Sequence, residues 1–375
     1  MTAAARVPHT LPTFPFASHI PAEMSDHNPI YHLKDAFYFE VPKPLWQQGW
    51  QTLDDVPAFL RAPFELEGAT MPSVEEFNAA MEGKILIPQP FGTLDSLYEK
   101  KSGFCISKYM ILELLVGVVL LLVFTRLAKR ISAGAPPQGR FTNLFETFVL
   151  FIRDQIARPA IDSHDHDHGD HGHGEHGHEG HEDHGHVSPG GALALSAAHE
   201  GDRFVPLLLT LFFFVLGCNL LGMVPWAGSP TASFSVTLAL AGVTFATVVV
   251  AGMMKFGPVG FFLNQVPSMD LPLPLAVVLK PMIFAIELLG LCIKHLILAV
   301  RLLANMVAGH LVLLGIMGLI TAAASYSMGM WATVTGISVV SSALFSILEL
   351  FVAFLQAYIF TFLSALFIGA SVHQH

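Results

Sequence analysis

The stretch "RLLANMVAGH", residues 301–310, sets an arginine and a histidine inside an otherwise apolar run from Leu296 to Ala324. A guanidinium stays protonated at any relevant pH, and a central arginine in a membrane helix costs roughly 2.5–3.5 kcal/mol on insertion scales. A charge that cannot be discharged in hydrocarbon is a functional residue by default. Read on one helix, Glu287, Lys294, Arg301 and Asn305 are separated by seven, seven and four residues, which returns each to nearly the same azimuth. Glu287 then lies roughly 21 Å along the axis from Arg301, most of the thickness of a hydrocarbon core. His310, nine residues beyond Arg301, falls on the opposite side of the helix. Glu349 and Gln356, in "LELFVAFLQAYIF", are again seven apart and share a face. Buried structural ion pairs would account for Glu287, Arg301 and Glu349. Three internal charges together with His310 and Gln356 exceed what helix register demands. Imidazole and carboxylate groups can take up and release protons, whereas Asn and Gln can only orient them.

The elements that hold these residues are apolar helices. The chain has 375 residues, 53% of them hydrophobic and only 13% charged, with a mean hydropathy of +0.57. That composition excludes a soluble domain and implies an all-α polytopic membrane protein. The net charge of −10 lies largely outside the apolar runs, and no basic face suggests nucleic acid. Cys105, Cys218 and Cys292 are few, odd in number and widely spaced, which reads as packing rather than disulfide or metal chemistry. The first residues, "MTAAARVPHTLPTFPFASHIP", lack the apolar run of a signal peptide, so no cleaved signal is expected.

Along the chain, residues 1–107 read as a polar, proline-punctuated extramembrane segment, partly ordered at best. Residues 108–130 suit a first transmembrane helix, closed by Arg126, Lys129 and Arg130, which place its end in the cytoplasm. Residues 141–158 carry apolar positions at three- and four-residue spacing and predict an amphipathic helix, lying on the membrane surface or packed on protein. Residues 162–202 contain "SHDHDHGDHGHGEHGHEGHEDHGH", a low-complexity insertion that cannot bury an apolar face and is expected to be disordered. Its imidazoles and carboxylates could bind zinc or nickel adventitiously, but a solvated spacer is the stronger reading. Residues 203–375 form the membrane-embedded core, with apolar runs at about 204–225, 234–254, 271–293, 296–324 and 334–368. Lys255, after the second of these, agrees with a cytoplasmic loop. The last two runs are long for one perpendicular span and require strong tilt. The expectation is five to six membrane-embedded helices plus one amphipathic surface helix.

These residues resemble the core of subunit a of the rotary F-type ATP synthases, the membrane stator beside the c-ring. "RLLANMVAGH" looks like that family's arginine motif, with Arg301 at the arginine and Asn305 at the asparagine. "LQAYIF" is similar to its last-helix motif and puts Gln356 at the glutamine. "NLLGMVPWAGSPTASFSVTLALA" resembles its hairpin and carries over Asn219. "HNPIYHLKDAFYFEV" and "FTNLFETFVLFIRDQI" look like its N-terminal and surface-helix stretches. The likeness is strong from about Lys108 onward and absent from the histidine tract.

The resemblance implies a subunit that catalyses nothing alone, needs no cofactor or metal, and conducts protons through two offset half-channels to a carboxylate on each passing c subunit. Its partners would be the c-ring, the peripheral-stalk b subunits and membrane lipid, in a bacterial inner membrane. Arg301 would separate the half-channels, and His310 and Glu349 would relay protons on the outer side. Glu287 would serve the inner exit, with Lys294 on the same stripe. Asn305, Gln356 and Asn219 would line the path without titrating. Many bacterial members have Glu where His310 stands and His where Glu349 stands, so this chain looks exchanged at both. His295 stands where proline often follows the family's lysine. Two alternatives remain: a stand-alone proton channel, or a histidine-loop zinc transporter, which would need His and Asp or Glu at i, i+4 inside a span. The apolar runs hold no such pair.

Overall fold

The computed structural model describes residues 34–47, 49–67, 71–132, 139–162, 200–224, 227–264 and 273–373. The histidine tract at 164–186 and the first 33 residues lie outside them. In the N-terminal region, β1 (Tyr38–Glu40), α1 (Ala58–Glu67), α2 (Val74–Ala80) and β2 (Lys84–Leu86) follow in order. A hairpin of β3 (Gly92–Leu94) and β4 (Lys100–Gly103) comes after them. β1 pairs antiparallel with β2, Tyr38 opposite Leu86 and Glu40 opposite Lys84. The helix α2 starts on a reciprocal cap. The Ser73 N–H donates to the Glu76 carboxylate at 2.7 Å, and the Glu76 N–H donates to the Ser73 hydroxyl at 3.4 Å. Tyr38, Val56, Leu60, Phe64, Phe77, Met81 and Leu97 bury together, with Phe64 and Phe77 edge to face at 6.0 Å. Burial of these side chains, at about 25 cal/mol per Å², holds together elements too short to be stable alone.

The rest of the described chain is helical, because backbone polar groups in lipid must be satisfied within the segment. α3 (Lys108–Ser132) is followed by α4 (Arg140–Phe151), a π-helical turn (Ile152–Ala157) and α5 (Arg158–Ile161). Then come α6 (Val205–Gly222), α7 (Phe234–Asn264), α8 (Leu273–Ala323) and α9 (Met328–Val372). Among the described residues five helices are long and apolar enough to cross a membrane, namely α3, α6 with the turn before it, α7, α8 and α9. The protein is therefore an all-α polytopic membrane protein. α7 bends at Gly257, whose φ of 78° suits glycine, just before Pro258.

The two longest helices extend beyond the apolar runs read from the sequence. The runs at 271–293 and 296–324 form one continuous helix, α8, of 51 residues. Lys294 and His295 interrupt the hydropathy but not the helix, since both keep their N–H groups and neither is Gly or Pro. α9 has 45 residues and starts at Met328 rather than near 334, because Gly, Ser and Thr are tolerated in membrane helices. At about 1.5 Å per residue α8 is roughly 77 Å long, more than twice a hydrocarbon core of about 30 Å.

The chain divides into two compact units. One comprises residues 1–115, 218–233 and 306–347, and the other residues 116–217, 234–305 and 348–375. In the second, Phe145 of α4 stacks on Phe213 of α6 at 5.2 Å, and Phe148 packs on Phe212 at 5.6 Å. Arg158 makes a two-pronged ion pair with Asp202, both contacts at 2.9 Å, tying α5 to the start of α6.

Candidate functional site

In the second unit, the unbroken path of α8 through Gly290 puts Glu287, Lys294, Arg301 and Asn305 on one stripe. Glu287, Lys294 and Arg301 are exposed and Asn305 is half-buried. Leu298, Ala299 and Leu302, on the other side of the same turns, are fully buried. Arg301 makes no hydrogen bond or ion pair among the described residues, and its helix neighbours Ile297 and Val300 are themselves exposed. The guanidinium therefore stands on an exposed helix face beside apolar side chains, with its five donors uncommitted among the described residues.

α9 carries the second set in the same unit. Glu349 and Gln356 are buried, at 8% and 5% exposure, two turns apart on one face. The Gln356 Nε2 group is buried with no hydrogen-bond partner among the described residues, a costly state for an amide in an apolar span. At His295 the helix continues without a break. The His295 ring is buried between Phe245 and Phe367, at 5.2 and 5.0 Å between centroids. Its Nδ1 lies 2.9 Å from the Leu291 carbonyl.

In the first unit, His310 on α8 has both ring nitrogens against carbonyl oxygens, Nδ1 at 3.0 Å from Met306 and Nε2 at 3.1 Å from Gly222. Asn219 on α6 is fully buried and accepts a hydrogen bond from the Thr231 hydroxyl at 2.9 Å. The Thr231 and Ser229 hydroxyls are hydrogen-bonded at 3.0 Å. Thr231 and Ser229 are buried. Gly222 is where this polar cluster meets His310, since a Cβ there would sit 2.5 Å from the Ser229 hydroxyl oxygen. Glycine lets the hydroxyl approach the backbone whose carbonyl holds the imidazole.

At the other end of the cluster, Lys108 is buried at the start of α3, and a Cβ on Gly228 would lie 2.9 Å from its ammonium. The Tyr109 N–H donates to Asp35 at 3.3 Å, and the Lys108 N–H donates to the Ala36 carbonyl at 2.8 Å. Burial pushes the Asp35 carboxyl above the usual carboxylate range, opposed by hydrogen bonds from Ser107 and Tyr109 and by the Lys108 charge. Reading the sequence did not single out Asp35, Lys108, Glu113, Ser229 or Thr231. Glu113, an acid inside the first apolar run, was the signal available for that region.

Known proteins supply an independent comparison. The family described as "ATP synthase A chain" matches residues 192–369. A protein of Myxococcus xanthus (strain DK1622) named "ATP synthase subunit a" is 36% identical over 273 residues, 72% of this chain and 75% of the relative. One of Anaeromyxobacter sp. (strain Fw109-5), with the same name, is 32% identical over 92% of this chain and 70% of its own length. A third, from Chloroherpeton thalassium (strain ATCC 35110 / GB-78), is 33% identical over 76% and 72% respectively. At these identities and coverages the chain belongs to the ATP synthase subunit a family.

Proposed function

We propose that this chain is the proton-conducting stator subunit of a rotary ATP synthase in a bacterial inner membrane. It passes protons through two half-channels to and from carboxylates on a c-ring, is anchored by peripheral-stalk b subunits and membrane lipid, and couples proton flow to ATP synthesis made elsewhere in the complex. The observation that carries this reading is Arg301, a permanent cation on an exposed apolar helix face with no acceptor among the described residues. Such a charge in a span needs a partner, and a carboxylate on a neighbouring chain moving past that face supplies one. Because Arg301 cannot release its proton, it attracts the ionised ring carboxylate and bars a direct hop between the two half-channels.

The other residues fall into place by chemistry. His310 and Glu349 relay protons on the outer side, while Asn219, Asn305 and Gln356 orient the path. Glu287, fourteen residues before Arg301 on the same helix, takes protons to the inner exit, and Lys294 lies between them on that stripe. The test is Arg301→Ala in the whole synthase in membrane vesicles. Proton-driven ATP synthesis is expected to be lost while the subunit still assembles. Wild-type synthesis in that variant would overturn the reading.

A further inference from the structure

We propose that α6, α7 and α9 form, at their cytoplasmic end, a binding site for an anionic phospholipid, its phosphodiester held by Arg203 and Lys255 and one acyl chain laid along α7. The inference goes beyond the stator reading and stands on the membrane fold alone. The turn Glu200–Phe204 before α6, the second half of α7 and the last residue of α9 line a cavity of about 260 Å³. All three belong to the second compact unit.

The lining has a charged part and an apolar part. Glu200, Arg203 and Lys255 make up the first, one carboxylate against two cations. Lys255 and Glu200 are already paired at 2.7 Å. Asp202, the acid next to Arg203 in sequence, is held by the two-pronged contact with Arg158, and the Gly201 N–H donates to Asp162 at 2.9 Å. These ties fix the turn, while Arg203 makes no hydrogen bond or ion pair among the described residues. The cavity therefore keeps one uncommitted positive charge, which a single phosphodiester balances.

The apolar part follows from the helical period. Thr247, Val250, Ala251 and Met254 form one stripe on α7 that leads to Lys255. The Thr247 hydroxyl donates to the Val243 carbonyl of its own helix at 2.8 Å, so it offers the groove no free donor. Val250 and Met254 are exposed, Val372 is buried, and Phe204 completes the wall. Cations at the ends of spans above an apolar groove are the two halves that a lipid headgroup and its chain require. Lys255 follows an apolar run on the side that basic residues mark as cytoplasmic, where anionic lipids supply the counter-charge. The guanidinium fork of Arg203 matches two phosphate oxygens, and Lys255 adds a point charge. A zwitterionic lipid would bring its own cation to Arg203 and Lys255, with Glu200 already engaged. Net charge, rather than the phosphodiester alone, is what the site selects.

The experiment uses the complete complex that contains this chain, reconstituted in phosphatidylcholine vesicles. A small fraction of the lipid is phosphatidylglycerol or phosphatidylcholine carrying the same diazirine in one acyl chain. After irradiation, labelling of the peptides that hold residues 247–255 and Val372 is compared with labelling of α3, which reports the lipid that merely surrounds the spans. The phosphatidylglycerol probe is expected to label the cavity peptides about tenfold more than the phosphatidylcholine probe, the fold-change that one hydrogen bond to a charged group supplies. On α3 the two probes should label alike. Arg203→Gln is expected to bring the cavity preference down to the level of α3. Met254→Trp, which fills the groove and leaves every charge in place, should lower labelling of the Val372 peptide by the phosphatidylglycerol probe, and it decides the matter if Arg203→Gln fails to assemble. Equal labelling of the cavity by the two probes in the wild type would overturn the proposal, since it marks surrounding lipid only. So would a preference that survives Arg203→Gln, or labelling of the Val372 peptide unchanged in Met254→Trp.

Discussion

His310 faces a carbonyl oxygen at each ring nitrogen, at 3.0 and 3.1 Å. A neutral imidazole owns one N–H and satisfies one of these acceptors, whereas an imidazolium satisfies both. Taking up a proton therefore makes a hydrogen bond at His310 and releasing it breaks one, without any movement of the ring. A side chain of similar reach that cannot be protonated should keep the fold but lose the relay. His310→Gln is expected to lower proton-driven synthesis by about a hundredfold in assembled synthase, read as ATP formed per unit time after an acid pulse. Synthesis within twofold of wild type would show that the histidine only packs. Arg301, Glu287, Glu349 and His310 were legible in the sequence because a charged or titratable residue stands out in an apolar run. Ser229 and Thr231 were not, since small polar residues in turns are ordinary and only their burial and hydrogen bonds set them apart.

Helices show where sequence pattern suffices and where it stops. The first span was readable to within two residues of its observed end at Ser132, because basic residues flank its apolar stretch. The stripe from Glu287 to Asn305 was read on one helix, and α8 runs through it unbroken although hydropathy falls at Lys294 and His295. The module core was illegible, since Tyr38, Phe77 and Leu97 sit on three-residue strands, a two-turn helix and a loop that show no period. The amphipathic element from Arg140 to Ile161 is held in two ways, by its phenylalanines on α6 and by charge. Arg153 donates to Asp154 at 2.8 Å, and Arg158 reaches both Asp154 and Asp202. The Arg153 hydrogen bond, then the two guanidinium charges, hold the Asp154 carboxyl below its ordinary range. A depressed folded value means that this tie is complete above the ordinary carboxylate range and is lost as pH falls through the folded value. These groups are partly exposed, so the effect is modest and salt-sensitive. Hydrogen exchange at the amides of residues 152–161, corrected for intrinsic rates, should accelerate in acid, and Asp154→Asn should remove that acid-dependent part. Protection that does not change with pH would leave the phenylalanine contacts as the whole attachment.

At the scale of the molecule, charge and family coverage divide the chain differently from hydropathy. Residues 164–186 hold ten histidines and seven acidic residues with no Lys or Arg, so seven of the ten net negative charges of the whole chain sit in that tract. The family match begins at residue 192, after the tract, and the residues proposed here for proton transfer all lie outside it. Histidines with ordinary values near 6.5 would swing the tract from acidic toward basic as pH falls, so it changes charge strongly just where a proton-driven machine operates. A Gly-, His- and acid-rich sequence has no apolar residues with which to grip a span. Removing 164–186 from the full chain is therefore expected to leave proton-driven ATP synthesis close to wild type in metal-replete medium. The measurement is synthesis and ATP-driven proton pumping in vesicles from cells carrying the deletion, alongside the amount of assembled synthase. Retained pumping with retained synthesis fits a solvated insertion. Normal assembly with ATP hydrolysis that no longer pumps would show that the tract takes part in coupling, and the spacer reading would have to be abandoned.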